Sequence, residues 1–439
     1  MTNKIAALLS ALLVCSLSVS ASELSDSVKR DYDENLADLW IHLHKNPELS
    51  LAEYRTAARL AQELRDLGYD VTEGVGGTGV VAILANGDGP TVMMRADMDG
   101  LPVFEKTGLP NASKVQQQDP VTGVTGPVMH ACGHDMHMTS VVGSARQMVN
   151  RKDNWSGTLM FVLQPAEERG RGAKAMRADG IWERFGRPDY VLGLHVRVED
   201  PAGVINVNPA PYAGVDSVDI LVHGVGGHGA IPHETKDPIV IGSQIVLALQ
   251  TLVSRELAPR TPGVVTVGAF NAGAKHNIIS DSAHLKLTVR NTSPETREKL
   301  LNGIRRIAEN IGRAAGLAED KLPEVTVSNE SVPPLINDPE LIARLKSAWI
   351  NEIGAHAVIS DQRADMTGED FPYFMIDPAI PGVYWDIGGT RQEWFDRAAA
   401  GGEPVASHHS PLFRIAVEPS VLAGVESTVV ALLELMGDP

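Results

Sequence analysis

Cysteine is scarce in this 439-residue chain: there are two, Cys15 and Cys132. Two thiols exclude a disulfide-built scaffold, and Cys132 has no evident partner for a bond of its own. Basic charge is also short, with 38 Lys and Arg against 55 Asp and Glu, a net charge of -17. An acidic surface argues against nucleic acid and anionic membrane as partners, but leaves small-molecule substrates open. Past the N-terminus, no segment reads as apolar enough to cross a membrane. There is no internal repeat and no long disordered run. What remains is an ordinary globular composition, 43% hydrophobic, long enough for two or three domains with real cores.

At the N-terminus, Lys4 precedes an apolar run over residues 5–19, too short to span a bilayer comfortably. Val19-Ser20-Ala21 then offers small residues for cleavage before Ser22. This is the anatomy of a secretory signal peptide over residues 1–21, and it predicts a secreted, periplasmic protein. Val14 is bulky for a lipoprotein signal at Cys15, which would leave with the leader. The mature chain would then carry one thiol in an oxidising compartment, a liability unless it is buried or bound to metal.

Strands and helices alternate along the chain, predicting an α/β fold. Helical spacing covers 54–67 with Gly68 as its cap, and helix is again expected over 138–149. Strands are expected at 79–85, 91–95, 158–163 and 190–194, and a polar surface loop at 111–127. Polar clusters stand just past several strand ends, the edge where open α/β sheets collect their active sites. A second unit is inserted at 213–322, with β-α-β-β-α order, as in a small α+β sandwich. The first unit is therefore 22–212 plus 323–439. The glycines from Gly224 to Gly229 follow a strand, but Pro232 and His233 interrupt the turn that a dinucleotide fingerprint needs.

The densest chemistry is Met129-His130-Ala131-Cys132-Gly133-His134-Asp135-Met136-His137. A soft thiolate beside imidazoles is a ligand set for a zinc-like divalent ion, and Gly133 permits a tight bend between the nearest two. A lone Cys-x-His is more often a buried cysteine beside ordinary histidines. Here matching donors follow downstream: Glu168, His195 and one of His408 or His409. Two ions need roughly five or six protein ligands. Such a pair acidifies a water and polarises a carbonyl, which amide hydrolysis requires. Glu167, beside a ligand but free of metal, suits proton transfer to the leaving amine. Taken singly, Glu167-Glu168 could be a solvated acidic pair and His195 a core histidine.

The motifs in sequence resemble the M20 metallopeptidase family, in its amidohydrolase branch of aminoacylases, hippurate hydrolases and auxin-conjugate hydrolases. His44-Lys45-Asn46-Pro47-Glu48 resembles the branch's opening motif, and Arg95-Ala96-Asp97-Met98-Asp99 its arginine-bearing strand end. The metal motif, Gln164 to Glu168, His195, Gly226-Gly227-His228, Asn277, Arg290, Glu369-Asp370-Phe371 and His409-Ser410-Pro411 follow in the family's order. The resemblance implies a mixed-sheet catalytic domain flanked by helices, with an inserted α+β lid and dimerisation domain. It implies two divalent ions per chain, Mn or Zn ahead of Co or Ni. Cys132 would bridge them, with His134, Glu168, His195 and His409 completing the shells. Glu167 would be the general base and His228 an oxyanion donor, in its own chain or across a homodimer. Asn277 and Arg290 would meet the substrate's carboxylate, although a strand-end salt bridge is an equal reading of Arg290. Asp97 and Asp135 would orient ligands, and His137 would pack in its helix. Val225 and Gly229 depart from the usual inserted-domain signature, and the 111–127 loop is longer than usual. The expected activity is hydrolysis of N-acyl amino acids or small peptides. A dipeptidase or carboxypeptidase with the same site is the alternative, and a non-catalytic periplasmic binding protein the reading from another class.

Overall fold

The computed structural model describes residues 21–363 and 365–437. But for Ala21, the expected leader lies outside the described residues, Cys15 with it. In chain order the strands of the two large sheets are β1 (Asp70–Val75), β2 (Gly79–Asn86), β3 (Thr91–Asp97), β4 (Gly157–Gln164), β5 (Tyr190–Pro201), β6 (Ile205–Asn206), β7 (Gly214–His223), β8 (Gly263–Ala272), β9 (Ser282–Asn291), β10 (Glu324–Val327), β11 (Val358–Ile359) and β12 (Gly382–Thr390). The first sheet is eight-stranded, ordered β1-β2-β4-β3-β5-β12-β6-β11. Its centre, β4-β3-β5-β12, is parallel throughout. These strands are buried almost end to end, as expected when helices cover both faces of a parallel sheet.

The second sheet is antiparallel, ordered β8-β9-β7-β10. Along β7 buried and half-buried residues alternate without a break, so one face packs on helices and the other does not. Both helices beneath it start where their sequences dictate. Asp237 and Ser293 cap them by accepting from the Ile239 and Thr296 amides, each with proline at the first helical position. The sheet takes in β10, so the inserted unit runs past the expected boundary at Leu322.

Four other expectations need correction. The helix expected at 138–149 begins at His134, so the motif lies on the helix α1 (His134–Val149). Gly133 permits this with φ 92°, where a Cβ would meet Val196 Cγ1 at 2.3 Å. The strand expected to end at Leu194 continues to Pro201, placing His195 inside it. Two helices do have the length and hydropathy to cross a membrane, Pro238–Glu256 and Val417–Met436. The second is mostly buried against α1 and the main sheet, which accounts for its composition. The first is only one-third buried. The 111–127 segment is less irregular than expected, since Gln116–Gln118 and Thr125–Pro127 pair as a short hairpin.

Candidate metal centre

Asp97 ends β3, Glu167 and Glu168 follow β4, and His195 lies in β5 beside Asp386 of β12. These groups gather at the carboxyl edge of the parallel strands, with Cys132 and His134 brought in at the start of α1. The donors converge: Cys132, His134 and His195 form one group, Cys132, Glu168 and His409 a second, and His134, Glu167 and Glu168 a third. Within each, the ligand atoms lie within 4.8 Å of one another. Cys132 Sγ is 3.4 Å from His195 Nε2, and His409 Nε2 is 3.4 Å from Glu168 Oε2.

Hydrogen bonding around the histidines points the right nitrogens inward. His195 donates from Nδ1 to the Val196 carbonyl (2.6 Å), which leaves Nε2 bare toward Cys132. His134 Nδ1 donates to the Asp99 carbonyl at 2.8 Å, and its Nε2 is buried without a hydrogen-bond partner among the described residues. Glu168 Oε1 is likewise buried and unpartnered. Burial without a hydrogen bond is costly, and a divalent cation is what this donor set fits. Among the described residues Cys132 is the one free thiol, and burial and neighbouring carboxylates hold its pKa far above the usual thiol range. A cation at the thiol opposes both effects.

The supports are equally specific. Asp99 accepts from the Glu167 and Glu168 amides at 3.1 and 3.0 Å and from Ser50 Oγ at 2.5 Å. Asp97 accepts from Arg95 Nη1 at 2.8 Å and from His137 Nδ1 at 2.7 Å. His137 therefore does more than pack. Its Nε2 accepts the Val196 amide at 2.8 Å, tying β3 to the strand that carries His195. Asp135 holds His44 at 2.7 Å, and no hydrogen bond links it to a candidate ligand among the described residues. Ala166 and His409 both sit at positive φ, 50° and 64°, a strained arrangement for residues with a Cβ. Strain of this kind collects at sites where the surroundings over-determine the backbone.

The centre opens into a cleft of about 710 Å³ lined by residues of both units. Glu167 lies on its wall. Burial and the nearby Glu369, Glu168 and Asp370 raise its pKa well above the carboxylate range, as suits a group that accepts and returns a proton. Arg290 reaches the cleft and bonds Thr288 Oγ1 and the Met366 carbonyl; among the described residues it has no carboxylate partner, so the salt-bridge reading fails. His409 joins the donor groups; His408 Nδ1 stands off at 3.9 Å from Cys132. His228 and Asn277 are not brought in. Both are exposed on the ribbon that pairs Gly227–His228 with Ile278–Ile279, and neither lines the cleft.

Sequence reading missed Tyr212, Arg363 and Asp386, which group beside His195, and Tyr384, which joins the motif residues Arg95, Asp97, Glu369 and Asp370 beneath the centre.

The family model for peptidase family M20/M25/M40 matches residues 93–405. The chain belongs to the M20 family. It is a metal-dependent hydrolase of amide bonds, in the amidohydrolase branch. It is 36% identical over 381 residues to a thermostable carboxypeptidase of Saccharolobus solfataricus, covering 84% of this chain and 90% of that protein. It is 38% identical over 335 residues to the hippurate hydrolase of Campylobacter jejuni, covering 76% and 82%. Among solved structures, a Bacillus subtilis dinuclear metal binding peptidase of the family superposes with TM-score 0.74 at 28% identity, covering 92% of this chain and 99% of that one.

Proposed function

We propose that this enzyme hydrolyses the amide between an acyl group and an amino acid, exported by its leader to the periplasm. One observation carries the reading: five donor residues, Cys132, His134, Glu168, His195 and His409, converge beside Glu167 in a cleft that also holds Arg290, which has no carboxylate partner among the described residues. Bound there, two divalent ions would acidify a water and polarise the substrate carbonyl. Glu167 takes the proton of the attacking water, whose oxygen bonds the carbonyl carbon. The C–N bond then breaks, and Glu167 passes the proton to the leaving nitrogen. Arg290 receives the carboxylate of the amino-acid half. A pure binding protein would need no base beside its ligands, which weighs against that class.

His228 and Asn277 act across a homodimer in this reading. The helix α2 (Pro238–Thr251) supports it, with Val240 and Leu247 53% and 72% exposed, beside the unpaired edge of β8. An apolar helix face next to a free strand edge is a surface for a second copy.

The test is release of free amino acid from a panel of N-acyl amino acids and dipeptides, with manganese, zinc or cobalt supplied. Release from N-acyl amino acids ahead of dipeptides is expected. The carboxypeptidase-type relative makes the reverse order the competing outcome. Release from neither, with metal bound, would overturn both.

A further inference from the structure

One wall of the cleft is built around a guanidinium that the mechanism does not use. Arg363 lines the cleft with Cys132, His195 and Tyr212, yet its side chain is only 7% exposed. It lies over the Tyr212 ring, 4.1 Å from the centroid. Nη2 donates to Asp386 Oδ1 at 2.7 Å and to the Tyr212 hydroxyl, and the same hydroxyl donates to Asp386 at 3.0 Å. Asp386 is fully buried and sits opposite His195 in the sheet. This pairing uses a small part of the donor fork. Among the described residues Nε is buried with no partner, and Nη1 has Asp365 at 3.8 Å, beyond a hydrogen bond. A structural ion pair would spend such donors on the protein. Here they are held rigid, nearly dry and unmatched beside the reacting centre.

The position of this group relates it to one half of the substrate. Arg290 donates to the carbonyl of Met366, three residues beyond Arg363 on the same segment, so both guanidinia belong to one wall. The same cleft mixes apolar Val215, Val332 and the Tyr212 ring with Ser217, Asp365 and Glu330, so its lining alone does not select an apolar side chain. We propose that Arg363, fixed by Asp386 and Tyr212, selects the side chain of the released amino acid and favours one that presents a planar oxygen acceptor, a carboxylate or a carboxamide. This rests on the reading that Arg290 holds the carboxylate of the amino-acid half. A buried donor fork strands its N–H groups when the substrate lacks an acceptor, so it rejects such a substrate more strongly than it rewards a good one.

The experiment compares kcat/KM for N-acetylglutamate, N-acetylglutamine and N-acetylmethionine, alike in acyl group and close in length. Wild-type enzyme is expected to prefer the first two over the third by at least ~10-fold. A lead for glutamate alone assigns the preference to a carboxylate, and equal rates for glutamate and glutamine assign it to the carbonyl oxygen. The variants are Arg363→Lys, which keeps the charge opposite Asp386 and loses the fork, and the double variant Arg363→Met with Asp386→Leu, which removes the pair without stranding either charge. Both are expected to bring the glutamine-to-methionine ratio to within about threefold of one. The ratio is read on a single preparation, so loss of folded enzyme cancels. Equal wild-type rates on all three substrates, or a preference that survives in the double variant, would overturn the role of Arg363 and leave amide hydrolysis standing. Failure to cleave any of the three, while other N-acyl amino acids are cleaved, would overturn it as well. Failure on every N-acyl amino acid would overturn the parent reading too.

Discussion

The two units prepare their functional groups in opposite ways. In the catalytic unit the candidate ligands His134 and His195, and the turn that carries Glu168, are held before any substrate arrives. His195 and His134 have their outer nitrogens tied to backbone carbonyls, and Asp99 grips the turn that carries Glu167 and Glu168. In the inserted unit His228 and Asn277 stand exposed at a two-residue ribbon; His228 Nδ1 accepts the neighbouring Ala230 amide at 3.0 Å, and among the described residues no hydrogen bond ties either side chain to the catalytic unit. Metal sites need fixed ligands and a supporting layer. A group that completes the site from another body needs freedom to arrive, and it can sit in water until then. Damage to the first region should therefore remove metal or chemistry outright, and damage to the second should spare metal while slowing turnover.

Among variants that keep the metal, the largest effect on turnover is expected at Glu167. Glu167→Gln should keep metal and substrate affinity and lower kcat by at least ~10²-fold. Near-normal turnover with metal bound would remove Glu167 from proton transfer. His228→Ala should lose about 10²-fold in kcat, the scale for one oxyanion donor, with metal content unchanged. If His228 acts across a dimer, mixing the inactive Glu167→Gln and His228→Ala chains restores part of the activity, because one site of the mixed dimer inherits both groups. No recovery after verified subunit exchange would assign His228 to its own chain or to no catalytic role. Arg290→Met should raise KM by roughly 10-fold or more, as for loss of one charged hydrogen bond. An unchanged KM would return Arg290 to a structural part.

The smallest effect falls on stability. Burial alone would lower the His44 pKa, but its bonds to Asp135 and Glu105 overcome this and lift it to about 9. The folded-state value lies above the ordinary 6.5, so this contact adds its full stability below about pH 6.5 and loses it as pH rises through 9. His44→Gln should destabilise by about 1–3 kcal/mol at pH 6, with the gap to wild type narrowing by pH 10. Thermal melts at the two pH values check this, and a gap that widens at high pH would contradict it.

The same contrast explains what could be read from the chain. Cys132 and His134 were legible because two ligands and a glycine share one short motif. Glu167 and Glu168 were legible because they follow a buried strand. His195 was legible, but the expected strand stops at Leu194, because the polar residues after Val196 hide a continuation that the sheet itself buries. The start of α1 was missed for a related reason: His134, Asp135 and His137 are buried polar residues, and periodicity counts them as solvent-facing. The Tyr212, Arg363 and Asp386 wall carries no local signal, since Tyr212 and Arg363 meet across 151 positions. The sites of His228 and Asn277 were legible only through the family's motif order.

Metal content per chain is the most direct measurement, made by elemental analysis on wild-type protein and on Cys132→Ala. Two divalent ions per wild-type chain are expected, with metal and activity lost together in the alanine variant and partly kept in Cys132→Asp, whose carboxylate can also bridge. An alanine variant that still holds two ions per chain would contradict a centre organised on Cys132.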